Sequence, residues 1–239
     1  MLSLAHSFRA VVCAAGLALA STSQATVLTF DPVPGNNALV LQGYGDRVTS
    51  TQQGFFEYGD EFGFTPNVVV EYRPNIRYRT TGIGDLTNAA YREDSGNRIL
   101  EINLAADVGY SVCLHYFDLA AQLGEALPVK SVKVLTGQLV ELYRQDWVVI
   151  PDIVESRPLP PGQTGTPTHM RFNFDPAICN NNVLKIFIEL DNLGFKAPRI
   201  GIDNIAFSQI PPVPAPGSLA LMGAAAIFLG FRRGRRLHP

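Results

Sequence analysis

The chain lacks the local signatures by which most enzymes are recognised. It has no GxSxG nucleophile elbow, no HExxH zinc helix, no phosphate-cradling P-loop, and no GxGxxG between a strand and a helix. Histidine is scarce at four residues, and tryptophan occurs once. His115 and His169 could each meet a Ser and an Asp in space, but any domain of this length offers such pairs, so they do not point to a catalytic triad. The carboxylate pairs Asp60–Glu61 and Glu93–Asp94 sit beside Gly and Ser, the surroundings of solvated loops. Helical spacing of apolar residues is nearly absent too, which argues against the βαβ units of nucleotide-binding folds. The expectation is a protein that is not an enzyme.

Positive charge is missing where nucleic acid would need it. All 21 acidic residues lie between Asp31 and Asp203, whereas five of the 19 basic ones, Arg9 and four near the C-terminus, lie outside that span. The segment 26–210 therefore carries 14 basic against 21 acidic residues, a net charge of −7. Phosphate backbones are neutralised by clustered Lys and Arg, so nucleic acid is not an expected partner. One basic cluster exists, Arg73, Arg77 and Arg79, and its alternation with Ile76 and Tyr78 reads as the solvated face of a strand.

What the chain does have is concentrated at its ends. After Arg9, residues Ala10 to Ala20 form an apolar run of signal-peptide length, and Ser23-Gln24-Ala25 supplies small residues for cleavage after Ala25. From Pro211 the sequence reads PPVPAPGSLALMGAAAIFLGFRRGRRLHP. Residues 218–231 are uncharged and apolar, and Arg232, Arg233, Arg235 and Arg236 follow directly. Those arginines would stop translocation on the cytoplasmic side, while a run of this length is short against the ~20 residues of a comfortable span. Five segments result: a signal peptide (1–25), an ectodomain (26–210), a Pro-rich linker and motif (211–217), a short transmembrane segment (218–231) and an Arg-rich cytoplasmic tail (232–239).

The tail resembles the PEP-CTERM sorting signal of Gram-negative bacteria, which joins a Pro-Glu-Pro motif, a short membrane helix and a terminal Arg cluster. Val213, Pro214, Ala215, Pro216 and Gly217 match the motif, with Ala215 standing where the family has Glu. The resemblance implies processing by an exosortase in a bacterium that makes exopolysaccharide. The passenger is also similar to β-sandwich passengers of that family, through Leu28-Thr29-Phe30-Asp31, Gly43 to Val48, Gly63 to Val68, Gly84 to Asn88 and Ile200 to Phe207. For those passengers the resemblance implies export and a sandwich fold, and no activity.

Removing the signal peptide removes Cys13 and leaves Cys113 and Cys179. An even count in an oxidising compartment points to one disulfide. Two other readings stay open: a pair of buried free thiols, or a metal held by Cys113 with His115, which share one face of a strand.

Short β-rich runs fill the ectodomain: 27–30, 67–72, 98–104, 110–117, 129–135, 138–143, 147–150, 169–174, 183–190 and 199–207. Leu184, Ile186, Ile188 and Leu190 alternate with Lys185 and Glu189, as a half-buried strand requires. The expected fold class is all-β, an antiparallel β-sandwich of jelly-roll type, flanked by the signal peptide and a C-terminal membrane helix. Residues 158–167, rich in Pro and Gly, read as a long loop within one domain.

Two features of the ectodomain suggest binding. Residues 44–78 hold Tyr44, Phe55, Phe56, Tyr58, Phe62, Phe64, Tyr72 and Tyr78 among glycines and acids. Tyr44, Tyr58 and Tyr72 are candidates for stacking on sugar rings, against the plainer reading that these aromatics fill the core. The second feature is a phase slip in the last strand, where Ile200 and Ile202 follow one parity and Ile205 and Phe207 the other. That predicts a β-bulge at Asp203–Asn204. In the carbohydrate-binding jelly rolls that this fold resembles, an Asp of the closing strand helps hold a structural Ca²⁺, which implies Asp203 with Asp31 as metal ligands. The sequence thus reads as an exported, non-enzymatic protein of the cell surface or extracellular matrix. Its partners would be an exosortase and, transiently, the inner membrane. The alternative is a carbohydrate-binding module for exopolysaccharide.

Overall fold

A computed structural model describes residues 25–31, 35–54, 56–58, 63–73, 75–92, 98–122, 127–151, 169–191 and 200–212. The signal peptide up to residue 24, the sorting motif, the apolar run, the Arg cluster and the 158–167 loop lie outside the described residues. So do Asp60–Glu61, Glu93–Asp94, Phe55 and Phe62. Among the described residues no helix is long and apolar enough to cross a membrane.

Among the described residues thirteen strands follow one another: β1 (Thr26–Leu28), β2 (Gln52–Gln53), β3 (Phe56–Glu57), β4 (Val68–Tyr72), β5 (Ile76–Arg79), β6 (Ala89–Arg92), β7 (Ile99–Ala106), β8 (Ser111–Ala121), β9 (Leu127–Thr136), β10 (Glu141–Ile150), β11 (His169–Asn180), β12 (Val183–Leu190) and β13 (Ile200–Ile210). Every pairing is antiparallel. One sheet runs β11-β8-β13-β6-β5, with β1 also on β13, and a second runs β10-β9-β12-β7-β4. The ladder β2–β3 stands apart.

Alternation explains why these segments are strands. Leu184, Ile186 and Ile188 of β12, Leu100, Ile102 and Leu104 of β7, and Val132 and Val134 of β9 are fully buried at period two. They meet Leu114, Phe117 and Leu119 of β8 and Ile202, Ile205 and Phe207 of β13 in one apolar cluster. Two sheets closing on one core make a β-sandwich. Each of these side chains contributes about 1.5–3 kcal/mol on burial. A small second cluster, Ile83, Leu86, Ala89, Tyr91 and Ala120, lies on the other face of the first sheet, so residues 83–86 are packed against its outside.

The one cross-strand disulfide joins Cys113 of β8 to Cys179 of β11, which are register partners. This is the pairing expected from the cysteine count. His115 lies apart from it in chemistry, with Nε2 2.8 Å from Ser208 Oγ. The metal reading of Cys113 with His115 is thereby overturned, because Cys113 is bonded to Cys179.

Strand β13 is shared in two halves. Ile200–Ile202 pair with β6, and Ile205–Phe207 pair with β1. Between them the register against β8 shifts at Asp203–Ala206, and Asn204 adopts φ 50°. The phase slip in the sequence is this bulge. It lets both apolar pairs face the core while Asp203 and Asn204 stand at the junction of the two neighbours.

A carboxylate cleft beside the closing strand as candidate functional site

The bulge of β13 opens a cleft of about 250 Å³. Its lining is Thr29, Asp31, Asp85, Leu86, Thr87, His169, Asp203 and Asn204. Each element contributes for a structural reason. Residues 29–31 are the continuation of β1 past its pairing with β13. Residues 85–87 are held over the sheet by Ile83 and Leu86 in the small apolar cluster. His169 opens β11 and faces Ala120 of β8 in the ladder.

Asp203 is the most constrained group here. It is only 4% exposed, and its Oδ1 accepts one hydrogen bond, from the Asn204 backbone N–H at 2.7 Å. Burial pushes its carboxyl up to about 8, and the Asp31 and Asp118 carboxylates push the same way against that hydrogen bond. At neutral pH the group therefore holds its proton in a large fraction of molecules. Asp118, wholly buried, accepts two 2.8 Å hydrogen bonds from Arg171 and a third from Asn204 Nδ2 at 3.0 Å. Arg171 lies 4.4 Å over the Tyr116 ring. Asp31 accepts from Asn88 Nδ2, and His169 Nδ1 sits 2.9 Å from Asp85 Oδ1.

The structure brings Asp31 and Asp203 into one cleft, as the sequence suggested. Its oxygen-rich lining is right in kind for a hard cation, which takes six to eight oxygens. Asp31 and Asp203 alone leave that shell incomplete, and among the described residues no group of three His, Cys, Asp or Glu is arranged to hold a metal ion. The sequence reading set His169 aside and missed Asp85, Asp118 and Arg171 as members of the site. Asp85 and His169 are 84 positions apart, and no local pattern links them.

The tyrosines are corrected. Tyr44 and Tyr58 are 1% exposed and Tyr72 is 4% exposed, so none offers a ring face to a sugar. Tyr44 and Tyr58 stack on each other at 5.4 Å, and Phe30 packs against Tyr44 at 5.3 Å. Their hydroxyls are used internally: Tyr44 Oη accepts from Phe30 N–H, Tyr58 Oη accepts from Gly45 N–H, and Tyr72 Oη donates to the Tyr44 carbonyl. Burial raises the hydroxyl pKa of all three. They are a satisfied polar core that ties the loop at 44–45 to β4. The arginine cluster stays at the surface, each side chain with a partner in the chain: Arg73, 53% exposed, pairs with Glu101 at 3.0 Å, Arg77 donates to the Asn37 carbonyl, and Arg79 lies over the Tyr91 ring.

No protein family matches this chain, and no curated protein does. Among solved structures, the mannan-recognising carbohydrate-binding module TmCBM27 shares 14% identity over 58% of this chain and 83% of its own, with a TM-score of 0.27. At that level the likeness carries no argument about ligand or activity.

Proposed function

We propose that this chain is an exported, non-enzymatic β-sandwich protein of the cell surface or extracellular matrix, wound as a jelly roll and sorted by its C-terminal tail. The observation that carries the reading is the order of the tail: Pro214-Ala215-Pro216, an uncharged run over 218–231, then Arg232, Arg233, Arg235 and Arg236. Each arginine resists transfer through hydrocarbon, so the run is held in the inner membrane until an exosortase acts near the motif. The Cys113–Cys179 disulfide supports the route, since such bonds persist in oxidising compartments. The winding is supported by strand order: 6-13-8-11 in one sheet and 7-12-9-10 in the other are the two four-stranded layers of a jelly roll. Mass spectrometry of the protein released by cells tests the sorting. The expected product ends near Pro216, and an intact Pro239 on released protein refutes the reading.

A second reading, carbohydrate binding to exopolysaccharide, is favoured by the cleft. Thr29, Thr87, Asn204 and three carboxylates present the hydroxyl-pairing groups that saccharides use. Calcium held by Asp31 and Asp203 belongs to this second reading. Under it, EDTA lowers the melting temperature and Asp203→Ala removes that sensitivity; an EDTA-insensitive protein leaves the cleft without a metal.

A further inference from the structure

The single tryptophan of the chain stands in the open. Trp147 is 67% exposed, on the edge strand β10, and adopts φ 55°. Its position follows from an irregularity that runs through two strands. Ser131 of β9 pairs with Glu189 and Asp146, while Val129 pairs with Leu190 and Val148, and the register shifts between Glu189 and Leu190. Lys130 and Trp147 are the residues caught between these pairs. Both side chains are turned out, and the core parity resumes at Val148 and Ile150.

An indole held outward in a left-handed backbone is a costly arrangement for a non-glycine residue. It gains nothing from the core. Val149, 57% exposed, extends the apolar surface beside it. Planar polar groups lie along the same strand. Arg144 Nε donates to both oxygens of Asp146 at 2.8 and 2.7 Å.

We propose that Trp147 is the stacking platform of a binding site for an uncharged, pyranose-built polysaccharide lying along β10. The site rests on the carbohydrate reading above but is separate from the carboxylate cleft. The apolar face of a pyranose packs on the indole, and its equatorial hydroxyls reach Arg144 and Asp146, which share the outer face of β10. Charge selects a neutral chain. Arg144 is matched by Asp146 and by Glu141 at 3.5 Å, and Lys130 by Glu189 at 2.6 Å, so the patch presents no unbalanced charge to a polyanion or polycation. An added protein strand is disfavoured, because the left-handed peptide at Trp147 interrupts the row of N–H and C=O groups that strand addition needs.

Affinity electrophoresis of the purified protein through gels containing hydroxyethyl cellulose, galactomannan, dextran or alginate tests this. The expected result is retardation by at least one of the three neutral polymers, weakened about tenfold or more in Trp147→Ala and largely kept in Trp147→Tyr. Melting temperatures of both variants should match wild type, since the ring touches no core. Undiminished retardation of Trp147→Ala overturns the site and leaves the carbohydrate reading standing. Retardation by alginate alone overturns the neutral ligand. No retardation by any polymer overturns both. Because Trp147 is the sole indole, a blue shift of its emission with protein concentration, polymer absent, identifies a second copy of the chain as the occupant and overturns the proposal.

Discussion

Asp118 and Asp203 face one another across the β8–β13 ladder, both almost wholly buried, and of the two only Asp118 is ion-paired among the described residues. Like charges directly opposite on a sheet repel. The structure resolves the conflict unevenly: Arg171 neutralises one carboxylate, Asn204 spans both, and Asp203 retains a proton. The bulge that turns β13 between its two neighbours thus also creates a titratable point in the fold.

Stability should carry the mark of that proton. The folded pKa of Asp203, about 8, lies above its ordinary value of 3.8. Below about pH 4 both folded and unfolded forms are protonated, and the native state bears no penalty. Between those values the unfolded chain gives up the proton while the folded one keeps it, so stability falls as pH rises and stops falling above about 8. Asp203→Asn should remove this contribution and exceed wild type at pH 9 by a few kcal/mol. Urea midpoints of both proteins at pH 5, 7 and 9 check it; parallel curves would mean that Asp203 ionises freely.

Much of the fold was legible, for physical reasons. Strand β12 is the 183–190 segment itself, because a strand half-buried along its length alternates without interruption. The bulge was legible because a parity change in a buried strand requires an inserted residue. Other elements were hidden. Residues 138–143 and 147–150 read as two strands, yet β10 is continuous over Glu141–Ile150; an edge strand leaves Arg144, Gln145 and Asp146 in water, and the alternation disappears. Strand β11 continues past Pro176 to Asn180, with its register shift falling between Asn173 and Ile178. Asp203 could be singled out from its bulge, but Arg171, Asp85 and His169 are brought to it only by the winding of the sandwich.

Removing the cation from Asp118 should be severe. Arg171→Met leaves a wholly buried carboxylate with one Asn204 hydrogen bond, and breaking such a pair costs about 3–5 kcal/mol. The double variant Arg171→Met with Asp118→Leu should recover much of that loss. Chemical denaturation of the single and double variants decides it, and a loss under 1 kcal/mol for Arg171→Met would mean water reaches Asp118.

The disulfide makes a separate prediction. Cys113 and Cys179 are 66 positions apart, and closing a loop of that length stabilises by about 4 kcal/mol on the chain-entropy account. Secreted protein should show no titratable thiol when denatured without reductant. Replacing both cysteines by Ser should lower the urea midpoint accordingly. Two reactive thiols in the wild-type protein would contradict the bond.

The wall of the cleft depends on one absent methyl group. Gly201 lies in β13 two residues before Asp203, and a Cβ added there would stand 2.3 Å from Ile83 Cγ2 and 3.2 Å from Ala89 Cβ. Ile83 and Leu86 anchor residues 85–87 over the sheet, so that close approach sets where Asp85 and Thr87 stand. Gly201→Ala must push this segment outward, because the clash falls on a packed branched side chain with little freedom to retreat. A loss of about 1–3 kcal/mol is expected. The variant should also admit water to Asp203 and bring its titration down towards the ordinary carboxylate range. NMR titration of the Asp203 carboxyl in both proteins reads the effect directly. An unchanged pKa in a destabilised Gly201→Ala protein would show that residues 83–86 stabilise the sheet without shaping the cleft.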